Sequence, residues 1–140
     1  MTSAIALVQL GKVDRHRAIR ERHFAAYDEA VAGLDGIEPV ARDPRDLHAL
    51  HLYVVRVVPE RAGATRDEYQ RALTEENIGT SIHFLPVHRL SAYRDAGRRP
   101  LPVAERAGGE VLSLPLSPAH SDEDVRDAID ALRRVHARFA

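Results

Sequence analysis

Apolar residues recur at alternating intervals of four and three through the first quarter of the chain: Ala6, Leu10, Val13, then Phe24, Tyr27, Val31 and Leu34. This spacing puts them on one helical face, flanked by Ile5, Val8 and Ile19 and interrupted on the same seam by Arg17 and Arg20. No proline occurs between Thr2 and Leu34, and Gly11 is the one glycine before Gly33 at the end of the run. The pattern predicts a single helix over residues 2–34, closed by Asp35-Gly36. About 30 residues would run about 45 Å, longer than a small domain covers. Such a helix is expected to link two domains or to lie against a partner.

Beyond it the period changes. Ile37 to Val40 reads as a short strand, and Leu50 to Val58 as the strongest one, β-branched and ended by Pro59. The polar stretch from Ala41 to Ala49, with Pro44, is a loop. Thr65-Arg66-Asp67-Glu68 has the form of a capping box opening a helix through Tyr69, Ala72 and Leu73 to Asn77, with Gly79 just past its end. Thr80 to Phe84 reads as a third strand stopped by Pro86. Leu90 to Asp95 reads as a short helix closed by Gly97, and residues 98–102 as an extended link. Val103 to Val111 reads as a helix with Pro102 at its start, weakened by Gly108-Gly109. Leu112 to Leu116 reads as an edge strand because of Pro115. Ser121 caps a last helix whose first turn is Asp122-Glu123-Asp124 and whose apolar face is Val125, Ile129, Leu132 and Val135. Strands and helices interleave, which predicts an α/β sandwich: a small mixed sheet with helices on one face, over residues 37–140, joined to the long N-terminal helix in one domain.

Composition narrows the chemistry more than the fold. The chain has 140 residues, 44% hydrophobic and 29% charged, in the range of one globular domain. Without cysteine there is no disulfide, thiolate metal site or cysteine nucleophile. No apolar run reaches the ~20 residues of a bilayer span, and a formal net charge of −1 gives no electrostatic case for nucleic acid or anionic membrane. A cytoplasmic location is expected. Of the 20 Lys and Arg residues only Lys12 is a lysine, so a Schiff base would have Lys12 or the terminal amine to form on.

Eight histidines raise the question of a metal. His48-x-x-His51 beside a strand would point to opposite faces, and no carboxylate completes a ligand set, so structural or solvated histidines are the favoured reading. No G-x-S-x-G elbow and no phosphate-loop glycine pattern occurs. One segment stands apart. From Asn77 to His88 a helix stop, a strand and a proline-fixed turn carry His83, Phe84 and His88 to a strand end, where ligand sites of α/β sheets tend to lie.

That segment, Ile78-Gly79-Thr80-Ser81-Ile82-His83-Phe84 with Pro86 and His88, resembles the small-domain signature of the DegT/DnrJ-type sugar aminotransferases. Four further blocks follow in the family's order: Ala6 to Leu10 with Lys12 and Asp14, His51 to Val57, Pro102 to Arg106 with Val111 to Leu116, and Asp122 to Val125. The resemblance implies the C-terminal small domain of a fold-type-I, pyridoxal-phosphate-dependent enzyme that transaminates nucleotide-linked keto sugars with an amino-acid donor, in polysaccharide or amino-sugar biosynthesis. It implies that His83, and with it Phe84 and His88, approaches the sugar nucleotide. The cofactor lysine and its supporting residues belong to a large domain with no counterpart here. No catalytic, cofactor-binding or metal-ligating residue is therefore expected in this chain, no pyridoxal phosphate is expected to bind it alone, and it is expected to be inactive by itself. A homo-oligomer or that large domain would be its partner. The competing class is a non-enzymatic interaction or dimerisation module built on the same sandwich, with a metallohydrolase a distant third.

Overall fold

The amphipathic seam of the N-terminal region is carried by two helices instead of one: α1 (Thr2–Leu10) and α2 (Val13–Val31), separated at Gly11-Lys12. The structure, a computed structural model, describes residues 2–93 and 99–140. The reason for the break lies in packing. No residue of α1 is buried, whereas α2 buries His23, Phe24, Tyr27, Ala30 and Val31. A helix draws most of its stability from the face it packs, so the half of the seam without a neighbour has nothing to hold it in line with the other. Leu34 lies past the end of α2.

Three strands form the sheet in the order β1 (Ile37–Pro39), β2 (Tyr53–Val57), β3 (Val111–Leu114). Both pairings are antiparallel, with Glu38 opposite Arg56 and Val54 opposite Ser113. The expected mixture of parallel and antiparallel strands is thus corrected to an antiparallel sheet within the α/β architecture. The segment Thr80–Phe84, expected as a third strand, contributes one bridge: Ser81 N donates to Ser113 O at 3.1 Å and Ser113 N to Ser81 O at 2.8 Å. Pro86, which has no N–H to give, ends any extension of that ladder. The strong run from Leu50 enters the sheet only at Tyr53. Leu50 adopts φ +51°, and its N–H donates to His48 Nδ1 at 2.9 Å, turning the chain before the ladder begins.

Alternation along β2 sorts the two faces. Tyr53, Val55 and Val57 are buried with Leu112 and Leu114 on the inner face, against α2, α4 (Arg66–Glu75) and α6 (Asp122–Phe139). Each fully buried aliphatic side chain there contributes about 1.5–3 kcal/mol. Phe24 meets Tyr53 edge-on at 4.9 Å and Tyr27 stacks on Tyr53 at 4.7 Å, fixing α2 across the sheet. Val125, Ile129, Leu132 and Val135 are the buried stripe of α6, as their spacing predicts.

The expected capping box at Thr65 forms, and the expected cap at Ser121 proves to be a capping box as well. Thr65 Oγ1 accepts from Glu68 N while Glu68 Oε2 accepts from Thr65 N, and Ser121 pairs with Asp124 in the same way. The stop of α4 differs from expectation. Asn77, not Gly79, takes the left-handed position at φ +62°. Ile78 N then reaches Leu73 O at 2.8 Å and Asn77 N reaches Thr74 O at 3.0 Å, a Schellman closure.

Between β2 and α4 lies α3 (Pro59–Ala62), a single turn ended by Gly63 at φ +75°. Where a helix was expected from Leu90 to Asp95, 3-10 turns occupy Val87–Arg89 and Ser91–Tyr93, and the rest of that expectation, with Gly97, falls outside the described residues. The helix α5 (Pro102–Glu110) tolerates Gly108 for a reason of space: a Cβ there would sit 2.5 Å from the ring of Pro86. On the outer face, Glu110 at the end of α5 accepts from Arg56 Nε at 2.8 Å and Nη2 at 2.6 Å, and Glu38 accepts from Nη1 at 3.2 Å.

Candidate functional site

Antiparallel register decides what the outer face of the sheet presents. Leu112 and Leu114 point into the core, so Ser113 between them points outward beside Val54. The bridge from Ser81 carries the chain over this point and brings His83 onto it. His83 Nδ1 lies 2.9 Å from Ser113 Oγ, and Ser113 is buried beneath, 4% exposed. The two backbone bonds between Ser81 and Ser113 leave little freedom in this placement.

His83 lines a cleft of about 310 Å³ together with Arg42, His48, Leu52, Val54 and Val111, closed at one side by Phe24 and Tyr53. The size is that of a small-molecule pocket with apolar walls and few polar groups. Arg42 lies over the Phe24 ring at 5.0 Å and is held by Asp28, which also accepts from Tyr53 OH at 2.8 Å. His48 stands at the tilted edge of Phe24, 6.3 Å between centroids. The cleft is therefore built by α2, the β1–β2 loop, β2, β3 and the strand-like segment at Ser81.

The three residues expected at the site part company here. His83 faces the cleft. Phe84, joined to it by a cis peptide bond, is 76% exposed and meets the His83 ring edge-on at 4.9 Å. His88 does not line the cleft: from its 3-10 turn it donates through Nε2 to Glu105 Oε1 of α5 at 3.2 Å. The Leu101 N–H, then His88, hold the Glu105 carboxyl below its ordinary range. His88 thus ties the turn after Pro86 to α5. Sequence reasoning missed Ser113 and Arg42, and it weighed His48 only as a metal ligand. Ser113 was detectable as the one polar residue in an apolar strand, at the alternate position.

Among the described residues no three His, Cys, Asp or Glu side chains gather around a point, and His51 is exposed away from His48's bond to Leu50. Lys12 is exposed at the α1–α2 junction among exposed neighbours. Likewise, no helix among the described residues is long and apolar enough to cross a membrane.

Comparison with solved structures places this architecture among sugar aminotransferases. The aminotransferase TlmJ from Streptoalloteichus hindustanus superposes with a TM-score of 0.87 at 31% identity, over 97% of this chain and 36% of its own. DesI, solved in the presence of its TDP-sugar product, gives 0.87 at 32% identity, over 94% of this chain and 34% of its own. Residues 1–133 match the DegT/DnrJ/EryC1/StrS aminotransferase family, and the chain belongs to that family. The spore coat polysaccharide biosynthesis protein SpsC of Bacillus subtilis (strain 168) is 39% identical over 143 aligned residues, 96% of this chain and 36% of SpsC. The chain thus spans about a third of the length of the relatives it matches. The family is pyridoxal-phosphate dependent; a sugar aminotransferase of Streptococcus pneumoniae, solved in its PLP form, superposes at 0.83 with 28% identity over 96% of this chain and 34% of its own.

Proposed function

We propose that this chain is the C-terminal small domain of a pyridoxal-phosphate-dependent aminotransferase acting on nucleotide-linked keto sugars, in polysaccharide or amino-sugar biosynthesis in the cytoplasm. The observation that carries the reading is the family match over residues 1–133 together with 39% identity to SpsC, confined to 36% of SpsC. The His83 cleft supplies a surface of the right size and chemistry to meet a sugar nucleotide.

The residues present do not fit the cofactor itself. Its chemistry needs a lysine amine in a lined pocket, and Lys12 stands exposed with exposed residues on both sides. No step through that group is assigned to this chain. Its part in catalysis is to bind and orient: His83, with Phe84 beside it, holds the substrate against a lysine-bearing domain supplied by another part of the enzyme.

The test is complementation. Co-express this chain with the part of SpsC that it does not match, and follow cofactor absorbance and amino-sugar formation. Restored turnover that falls about tenfold in kcat/KM with His83→Ala, one hydrogen bond at about 1.4 kcal/mol, is the expected result, with cofactor absorbance unchanged. Unaltered kcat/KM in that variant would make His83 structural, and lost absorbance would move it to the cofactor. A second reading, a non-enzymatic interaction module, draws on one observation: Ile5, Leu7, Val8 and Leu10 of α1 are all more than half exposed.

A further inference from the structure

The hydrogen-bond roles around His83 can be assigned by accounting for one proton. Ser113 Oγ is buried, and among the described residues its one side-chain partner is His83 Nδ1. The backbone N–H and C=O of Ser113 are both taken by Ser81. If Nδ1 carried the hydrogen, it would donate to Oγ and leave the hydroxyl proton buried without an acceptor, a loss as costly as an unmade hydrogen bond. The hydroxyl therefore donates to Nδ1. Neutral His83, a lining residue of the cleft, then carries its hydrogen on Nε2, the ring nitrogen that Ser113 does not engage.

His48 reaches the same state by a different route. Its Nδ1 accepts from Leu50 N, so its hydrogen also sits on Nε2. Arg42 has only donors, and Asp28 occupies just part of its fork. Tyr53 lines the cleft too, but its hydroxyl proton is committed to Asp28. Among the described residues no Asp or Glu side chain lines this cleft. Every polar side chain that faces it with a free hydrogen is a donor, set on walls of Leu52, Val54 and Val111.

We propose that the cleft between Arg42, His48 and His83 binds the anionic, acceptor-rich oxygen group of a small ligand, a phosphate or a carboxylate, and that Ser113 is the positioning residue that keeps His83 a donor to it. A guanidinium and two fixed imidazole N–H groups suit an oxyanion, and they would leave the hydrogen of a neutral donor ligand unpaired. The inference deepens the assignment of His83 above and rests on it only for which molecule carries the anion.

The experiment reads protonation directly. Two-bond proton–nitrogen correlations on the uniformly labelled 140-residue chain at pH 7.5 give the tautomer of each histidine. Titration with inorganic phosphate, and separately with acetate, follows the imidazoles and Arg42 Nε. The expected result is the Nε2–H form for His83 and His48, with saturable shifts of both and of Arg42 in at least one titration. Phosphate saturating alone assigns a phosphoryl group, and acetate alone a carboxylate. Arg42→Gln should weaken binding at least fivefold, and Ser113→Ala should return His83 to a mixture of tautomers. A Nδ1–H form for His83 in the unaltered chain overturns the assignment even if Ser113→Ala fails to fold. Shifts that do not saturate with either anion, or that survive Arg42→Gln unchanged, overturn the site. If anion binding holds while His83→Ala leaves the complemented enzyme's kcat/KM intact, the cleft stands and the sugar-nucleotide reading fails.

Discussion

Replacing Gly63 by alanine probes the joint at which α3, α4 and the end of α6 meet. Gly63 sits at φ +75°, and an added Cβ would lie 1.9 Å from the carbonyl oxygen of Phe139 and 2.8 Å from its carbon. Ordinary contact begins near 3.4 Å, so backbone must move by about 1.5 Å. Left-handed backbone alone costs a non-glycine residue about 1 kcal/mol. The larger loss comes from displacing the last turn of α6. Phe139 packs on Tyr69 at 5.1 Å between centroids, and Tyr69 OH donates to Ala62 O at 3.0 Å while taking a hydrogen bond from His136 Nδ1 at 2.8 Å. Losing part of the Phe139 burial and one of these bonds adds about 2 kcal/mol, for a total of about 3 kcal/mol. With a urea dependence of about 2 kcal/mol per molar, the midpoint should fall by about 1.5 M in a circular-dichroism titration. Gly33→Ala is the control, since no atom lies within 4 Å of a Cβ there and its φ is not positive. If both variants unfold within about 0.3 M of the parent, the clash is relieved at no cost and the reasoning fails.

Acid stability should depend on the capping boxes. Glu68 is held below its ordinary value near 4.5 by the Thr65 hydroxyl and N–H, and Asp124 below 3.8 by the Ser121 N–H and hydroxyl. A lowered folded value means the stabilisation is complete above the ordinary value and is lost as pH falls through the lowered one. Glu68→Gln should therefore flatten the decline in thermal midpoint below about pH 4.5, and an unchanged slope would refute it. Arg56→Met should cost about 2 kcal/mol by urea titration, because it strands Glu110, whose side chain is only 9% exposed, whereas Arg45→Ala at the exposed Asp43 pair should leave the midpoint in place. Leu7→Ser with Leu10→Ser, on a helix with no buried residue, should lower particle size in light scattering and hydrophobic-dye binding without shifting the unfolding midpoint; a change in midpoint would mean α1 packs on this domain after all.

Local rules carried the reading wherever an element declares itself within a few residues. The capping box at Thr65, the cap at Ser121 and the stripe of α6 depend on spacing and short-range bonding, and each was legible in the chain. What was not legible depends on partners remote in sequence. The seam from Ala6 to Leu34 has one period throughout, and only the absence of a packing face for α1 splits it at Gly11-Lys12. Strand direction is of the same kind: β-branched runs state that a strand exists, not which way its neighbour runs. The helices between β2 and β3 invited a parallel crossover, but the chain spends an extra pass at Ser81 before returning antiparallel.

That extra pass is also why the candidate site was only half visible. Alternation alone says that Ser113 leaves the core beside Val54, and the segment from Ile78 to His88 announces His83 by its proline and its resemblance. Nothing local joins them, because the contact spans thirty positions. Arg42 and His48 lie in the segment that sequence reasoning read only as a polar loop, and they enter the cleft because Leu50 turns at φ +51° and Phe24 stands beneath Arg42. His88 shows the converse. It shares the motif with His83, but the two are separated by Pro86 and a 3-10 turn, and Glu105 of α5 claims the second imidazole. Two histidines of one motif thus take different duties: His88 holds the wall of the domain together, while His83, fixed from below by a buried hydroxyl, is left with one nitrogen free to meet a ligand.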